Sequence, residues 1–201
     1  GLVLEPFIAT VIFAGGILRR ADDKSRARFL PKLIGGESVY SVAYAEAGSR
    51  FDLFHVETTA KPHPSKDKGY VLQGRKLAVI AGNAADVLIV SARTSGATRD
   101  KSGITLFAID AKQSGVQRVG YRTVDGLHAA NILLEGVQVG PEQIIGTLDQ
   151  GLPLLEGAAD ETIVALGAEA VGVMQIMFET TVAFCKDRKQ FGVAIGSFQV
   201  L

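Results

Sequence analysis

From Gly151 to about Lys189 the chain has no proline after Pro153, and one helical face recurs at Leu155, Ala158, Thr162, Leu166, Ala170, Val173 and Met177. That spacing predicts a single helix of about 36 residues, about 54 Å long at ~1.5 Å per residue. The usual helix has about 11–12 residues. Its apolar content is not confined to one face, because Val164, Val171, Ile176, Phe178 and Phe184 lie on others. A helix that is apolar on several sides belongs inside a bundle. No further helical pattern follows it, so we expect the bundle to be completed by other chains or by more of the same polypeptide.

The rest of the chain falls into two regions of different pattern, which gives three expected domains: 1–37, 38–148 and 149–201. Residues 1–37 read as helical, the end of an N-terminal helical domain. An apolar run closes on Arg19-Arg20, where cations suit a helix C-terminus. "DDKSRARFLPKLIGGE" then reads as a short helix stopped by Gly35-Gly36. Between 38 and 148 the runs "SVYSVAYA", "GYVLQGRKLAVIAG", "DVLIVSART", "GITLFAID" and "ANILLEGVQV" are β-prone and bounded by turn residues. No helical pattern separates them, so the sheet is expected to be mostly antiparallel, in a barrel or sandwich. "KPHPSKDKG" and "TSGATRDKSG" read as solvated hairpin loops. The fold class is therefore α+β: the end of a helical domain, a middle antiparallel β domain, and the first long helix of a C-terminal bundle.

Charge and cysteine content set further bounds. Lys and Arg together number 21, as do Asp and Glu, so the net charge is +0. A balanced surface lacks the counterion-releasing basic patch that nucleic-acid binding draws on. The one cysteine, Cys185, leaves no internal disulfide and no cysteine-rich metal site, which points to a cytoplasmic protein. The apolar stretch from Phe7 to Leu18 is about 12 residues, too short for a bilayer, and reads as a buried helix rather than a membrane span. His55, His63 and His128 show no metal-ligand spacing, and "IAGNAAD" lacks the glycine spacing of a nucleotide loop, so no metal site is expected.

Four segments in order resemble motifs of the acyl-CoA dehydrogenase family of flavoproteins. "AYAEAGSRFD" resembles T-E-P-x-A-G-S-D. "GYVLQGRKLAVIAGNAADVLIVSART" resembles G-x-x-L-x-G-x-K-x-x-I-x-x-x-x-x-A-D. "LLEGVQVGPEQIIGTLDQG" resembles the family's exit from its middle domain, and the closing "DRKQFGVAIGSFQVL" resembles R-K-Q-F-G-x-x-I-x-x-F-Q. Ser49–Asp52, Val124–Gly126 and Asp160–Met174 are most similar to a subgroup that includes the small subunit of pimeloyl-CoA dehydrogenase and subunits of steroid side-chain-degrading dehydrogenases. Some of those enzymes are heterotetramers.

The resemblance implies FAD as cofactor, an acyl-CoA thioester as substrate, an α,β double bond as product, and an electron-transfer flavoprotein or similar acceptor. It also implies a homo- or hetero-oligomer sharing FAD across an interface. Arg188 would contact the FAD diphosphate of a neighbouring subunit, with Gln190, Phe191, Phe198 and Gln199 supporting the same cofactor. On the plainer account Arg188 and Lys189 offset the helix dipole, while Phe191 and Phe198 are core. At the flavin edge the family's hydroxyl and indole side chains are replaced by Ala45, Ala78 and Ile80, and the Pro of the first motif by Ala47. That asymmetry suggests an alternative: a non-catalytic subunit completing FAD sites housed mainly in a partner. The usual catalytic glutamate falls beyond the matched segments. A minority position aligns with Thr162, and the nearby Asp160 and Glu161 are candidates for the base or, more plainly, first-turn helix acids. The family's Arg after that Thr is Ile163 here. Arg50 and Asp52 are expected to form an ion pair, and Asp125-Gly126 a turn.

Overall fold

The computed structural model describes residues 5–65 and 68–198. Two compact units divide the chain, Gly1–Thr162 and Ile163–Leu201.

In the first unit a π-helical turn, Ile8–Ala14, runs into α1, Gly15–Arg20, and α2 follows at Asp23–Ile34. Asp22 caps α2 by accepting the Ser25 amide at 3.3 Å, an ordinary N-cap bond. Gly35 closes it, and Gly36 turns away at φ 68°. The strands are β1 (Tyr40–Ala43), β2 (Thr59–Pro62), β3 (Tyr70–Ile80), β4 (Val87–Arg93), β5 (Ile104–Asp110), β6 (Val116–Arg122), β7 (His128–Val139) and β8 (Ile144–Ile145). Their order is β6-β7-β3-β2-β4-β5-β8, with β1 also on β4.

Most pairs are antiparallel, as the short spacing of strands implies, but the sheet is mixed. β1 runs parallel to β4, and β2 meets β4 in parallel at Thr59 and Arg93. The reason is topological. The chain from β1 to β2 passes through a 15-residue loop, residues 44–58, instead of a tight hairpin, so β1 is free to lie along β4 in the same direction. The two expected hairpin loops do join antiparallel neighbours, β2 to β3 and β4 to β5. The Asp125-Gly126 turn joins β6 to β7, with Gly126 at φ 85°.

The central strands β4 and β5 are buried on both faces. On β4, Leu88, Val90 and Ala92 join one core with Leu72, Phe107, Ile109 and Ile132, while Ile89 joins another with Ile17, Leu18, Tyr40, Leu106, Leu155 and Ala158. The period-2 alternation of a strand thus sorts side chains into two cores. The second core packs the sheet against α1 and the first turns of α3, a 37-residue helix spanning Gly151–Asp187. Gly16 permits that approach, since a Cβ there would lie 3.1 Å from the Ala158 methyl.

In the second unit, α3 ends and a short hairpin, β9 (Lys189–Gln190) with β10 (Val193–Ala194), leads into a 3-10 turn at Ile195–Ser197. The helix residues here expose apolar side chains on several sides, Val164 72%, Val171 62%, Ile176 62% and Phe178 66% among them. Among the described residues nothing covers them, as expected for one member of a bundle.

Phe107 is fully buried and its ring centroid lies 5.7 Å from that of Tyr70. Phe107→Ala should cost about 3–5 kcal/mol by urea unfolding, the range for emptying a packed aromatic site. Val124→Ala, at a fully exposed position, should stay within about 0.5 kcal/mol of wild type.

Candidate functional site

β3 pairs with β7 through two register shifts, between Leu72 and Gln73 and between Lys76 and Val79. Ala78 sits inside the second with φ 49°, a left-handed conformation that bulges the strand. The bulge accompanies a side chain turned inward: Lys76 is wholly buried. Its ammonium lies 2.6 Å from Glu46 Oε1 and 3.0 Å from Ser91 Oγ, and it donates to the Tyr44 carbonyl at 3.4 Å. Glu46, 5% exposed, also accepts the backbone amides of Glu57 and Thr58. Burial alone would raise the Glu46 pKa, but the Lys76 cation and these donors hold the carboxyl below its ordinary value. Burial pulls the Lys76 ammonium down to about 8 despite its carboxylate partner.

This pair fixes the loop that carries Ala45. The Leu77 amide donates to the Ala45 carbonyl at 2.8 Å, which puts Ala45 beside the bulge holding Ala78. The Ala78 amide in turn donates to Asn131 Oδ1 at 3.2 Å, and the Ile80 carbonyl accepts the Ser41 hydroxyl. The fold therefore brings Ala45, Ala78 and Ile80, the positions that the motif resemblance matches to a flavin edge, into one neighbourhood, with alkyl side chains there and several backbone groups already engaged. Next to it lies a cavity of about 290 Å³ between Glu46-Ala47, Glu57-Thr58 and the β3 residues Gly74, Arg75 and Leu77. Gly74 is required where these segments touch, because a Cβ would come within 2.7 Å of Thr58 Cα.

His55 does not stand apart as its sequence position suggests. Its Nε2 lies 2.9 Å from Glu57 Oε1, and the ligand atoms of Glu46, His55 and Glu57 fall within 4.8 Å of one another. The Glu46 oxygens already accept an ammonium and two amides, so the group is an internal hydrogen-bond cluster and a poor cation site. The expected Arg50–Asp52 pair is replaced. Asp52 is bound by Arg99 at 2.6 Å, and Arg50 turns out to solvent with φ 49°. A neighbour in sequence lost to a residue that the β4–β5 hairpin delivers.

Glu161 is not placed as a base. Arg20 Nη1 lies 2.6 Å from its carboxylate and Arg19 binds the other oxygen. The Arg20 bond, with both cations nearby, holds its pKa below the ordinary value, which favours the ion over proton uptake. Thr162 returns its hydroxyl to the Ala158 carbonyl at 2.7 Å, and Asp160 is exposed.

In the second unit the Arg188 amide caps the end of α3 on the Phe184 carbonyl at 2.8 Å, and the Arg188 carbonyl accepts Ile195 N at 2.8 Å. The guanidinium is exposed and, among the described residues, makes no hydrogen bond or ion pair. Gln190 is exposed on β9, and Phe191 heads the two-residue turn at φ 51° and 94% exposed. Phe198 is 40% exposed. Neither phenylalanine is a core residue among the described ones. Gln199 lies outside the described residues. Sequence reading missed Lys76, Glu46 and Asn131. An isolated cation in a strand reads as solvent-facing, yet alternation from the buried Leu72 puts Lys76 on the inner face, and the bulge after it returns Val79 to that face.

The mixed sheet packs against α1 and the first turns of α3, which continues as a 37-residue helix. The middle-domain model of acyl-CoA dehydrogenases matches residues 41–137, and the C-terminal domain model of the same family matches 149–201. Isovaleryl-CoA dehydrogenase of Oryza sativa subsp. japonica is 30% identical over 92% of this chain and 45% of its own length. The 3-(aryl)acrylate reductase of Clostridium sporogenes is 30% identical over 89% of this chain and 47% of its own. Among solved structures, PigA with FAD and proline superposes with a TM-score of 0.89 at 25% identity, over 96% of this chain and 50% of that one. The chain belongs to the acyl-CoA dehydrogenase family, and it spans about half the length of the curated relatives it matches. The match over α3 also bears on its hydropathy. Its length and mean hydropathy of 1.4 would suit a bilayer, but residues 149–201 match the C-terminal domain model of acyl-CoA dehydrogenases. Glu169 and Glu179 within it are ionisable groups of a kind rare and costly inside a bilayer.

Removing one partner of the buried pair strands the other. Glu46→Gln or Lys76→Met should each cost about 3–5 kcal/mol in urea unfolding, and the double variant less than their sum. The Glu46 pKa is depressed on folding, so its contribution is present above the ordinary 4.5 and is lost as pH falls through the lower folded value. Acid unfolding monitored below pH 4.5 should therefore be shallower in the double variant.

Proposed function

We propose that this chain is part of an FAD-dependent acyl-CoA dehydrogenase-like oxidoreductase that introduces an α,β double bond into an acyl-CoA thioester. The observation that carries the reading is Arg188. Its guanidinium stands free at the junction of α3 and the β9–β10 hairpin, a fork suited to two phosphate oxygens at once. Gln190 and Phe191 flank it on the same hairpin. FAD, when bound, supplies the acceptor for the hydride that leaves the β-carbon. The chain's own residues would bind and orient: Arg188 would neutralise the diphosphate of a neighbouring subunit's FAD, and the Ala45 and Ala78 segments would border the ring of a separate one. None of the acids near the start of α3 suits proton abstraction, since Glu161 is held as an ion by Arg19 and Arg20. The base therefore comes from another part of the whole protein or from a partner. An electron-transfer flavoprotein or similar acceptor would reoxidise the cofactor.

A second reading has its own support. The side chains at Ala45, Ala78 and Ile80 donate no hydrogen bonds, and the Ala45 carbonyl and Ala78 amide are already paired within the chain. A subunit that completes a partner's FAD site while holding its own ring weakly would look like this, as in the heteromeric subgroup that the motifs resemble.

The full-length protein, alone or assembled with its partner, should copurify with flavin, and an acyl-CoA should bleach the flavin absorbance. No flavin in either state would overturn the family-level activity, while one flavin per chain in the isolated homo-oligomer would sink the second reading. Arg188→Met should weaken FAD binding by about tenfold or more, the scale of one lost charge-assisted bond, as read by flavin fluorescence on titration.

A further inference from the structure

Arg93 ends β4, 7% exposed. A buried guanidinium is costly unless its donors are used. Here Nη1 donates to the carbonyls of Asp100 at 2.9 Å and Ser102 at 2.7 Å, and Nη2 to those of Thr98 at 2.8 Å and Phe54 at 2.9 Å. Three of these carbonyls belong to the β4–β5 loop, residues 94–103. The fourth, that of Phe54, belongs to the 44–58 loop that carries Ala45. Among the described residues no carboxylate forms an ion pair with Arg93 and its Nε has no partner, so its four Nη hydrogen bonds fold one loop and tie it to another.

The tie is repeated along the same seam. The Val56 amide donates to the Thr98 carbonyl at 2.9 Å, and the Arg93 amide to the Thr58 carbonyl at 2.7 Å. Arg99 binds Asp52, and Arg99 and Lys101 stand 5.6 and 5.5 Å from the Phe54 ring centre. On its other side the β4–β5 loop holds the residue just ahead of α3. Asp149, strained at φ 64°, accepts the hydroxyls of Thr94 at 2.5 Å and Ser95 at 3.0 Å. One loop, shaped by one side chain, thus connects the flavin-edge loop to the approach of α3.

We propose that Arg93 is a positioning residue for the cofactor site: it folds the β4–β5 loop into a bracket that sets the flavin-edge loop, Ala45 to Thr58, against the start of α3. It touches neither cofactor nor substrate. The proposal rests on the reading above that the Ala45 segment borders a flavin, and it adds the residue that holds that segment in place.

Arg93→Met keeps the bulk of the stem and removes the fork. In the full-length flavoprotein it should weaken FAD binding by about tenfold and blur the fine structure of the bound flavin's visible spectrum. Phe107→Leu, a core variant remote from the loop, serves as the stability control. If Arg93→Met does not fold, Arg93→Lys, which keeps the charge as a point with three donors, is read by the same criteria. Flavin affinity and spectrum unchanged beyond the control's loss overturn the proposal. If the wild-type protein holds no flavin alone or with its partner, the functional reading fails separately, and amide exchange on this protein decides the positioning role. Exchange about tenfold faster at Val56, Glu57 and Thr58, with Val90 unchanged, supports it; equal protection in variant and wild type overturns it.

Discussion

The Glu46–Lys76 pair is the constraint on which the β domain turns. Both groups are withdrawn from water, and their 2.6 Å contact offsets a desolvation cost of several kcal/mol per ion. Such a pair tolerates no approximate register. A one-residue slip of β3 would send Lys76 to the other face and leave Glu46 buried and unpaired. The bulge at Ala78, the closure of the 44–58 loop over Glu57 and Thr58, and the place of Ser91 on β4 all have to agree with it. The result is a rigid floor beneath the positions that border the cofactor in the proposed function.

The parts of the fold legible in the sequence are those written in periodicity. The unbroken apolar repeat gave away α3, and the alternating or continuous apolar runs gave away β3, β4, β5 and β7. β2 and β6 were harder. "TAKP" ends on a proline and "VQRVGYR" exposes most of its residues, so neither has a buried face to announce it. The parallel β1–β4 pairing joins residues 47 apart, Tyr40 with Val87, and no local pattern encodes it. The candidate site was legible by motif and blind in its energetics. The resemblance named Ala45, Ala78 and Ile80, which lie near one another in the fold, while Lys76 and Glu46 went unremarked, and Asp52 was matched to its neighbour Arg50 instead of Arg99. Those choices depend on which loops meet in space.

Loops in this protein are held by charge more than by apolar contact. Lys76 holds the first loop from below, Arg93 holds it from the side, Arg118 binds the carbonyls of Gly82, Asn83 and Ala85, and Glu161 joins α3 to the two arginines ending α1. Three of these four use Arg or Lys on backbone carbonyls or buried carboxylates, where each donor satisfies a group that would otherwise be buried without a partner. Balanced overall charge is therefore no sign of electrostatic indifference. Glu46, Lys76 and Arg93 are buried charges with partners inside the structure, while Arg188, like Arg50, Arg75 and Arg122, is exposed with no hydrogen bond or ion pair among the described residues.

The hairpin beside Arg188 sharpens that contrast. A two-residue turn with both φ values positive favours Asn or Gly at its first position, and here it is Phe191 at 51° before Gly192 at 84°. A bulky residue in that region costs on the order of 1–3 kcal/mol. Local folding gives no return on it, since the ring is 94% exposed and packs into no described core. The strain leaves an exposed aromatic ring three residues after Arg188, on the hairpin that the proposed function assigns to the cofactor.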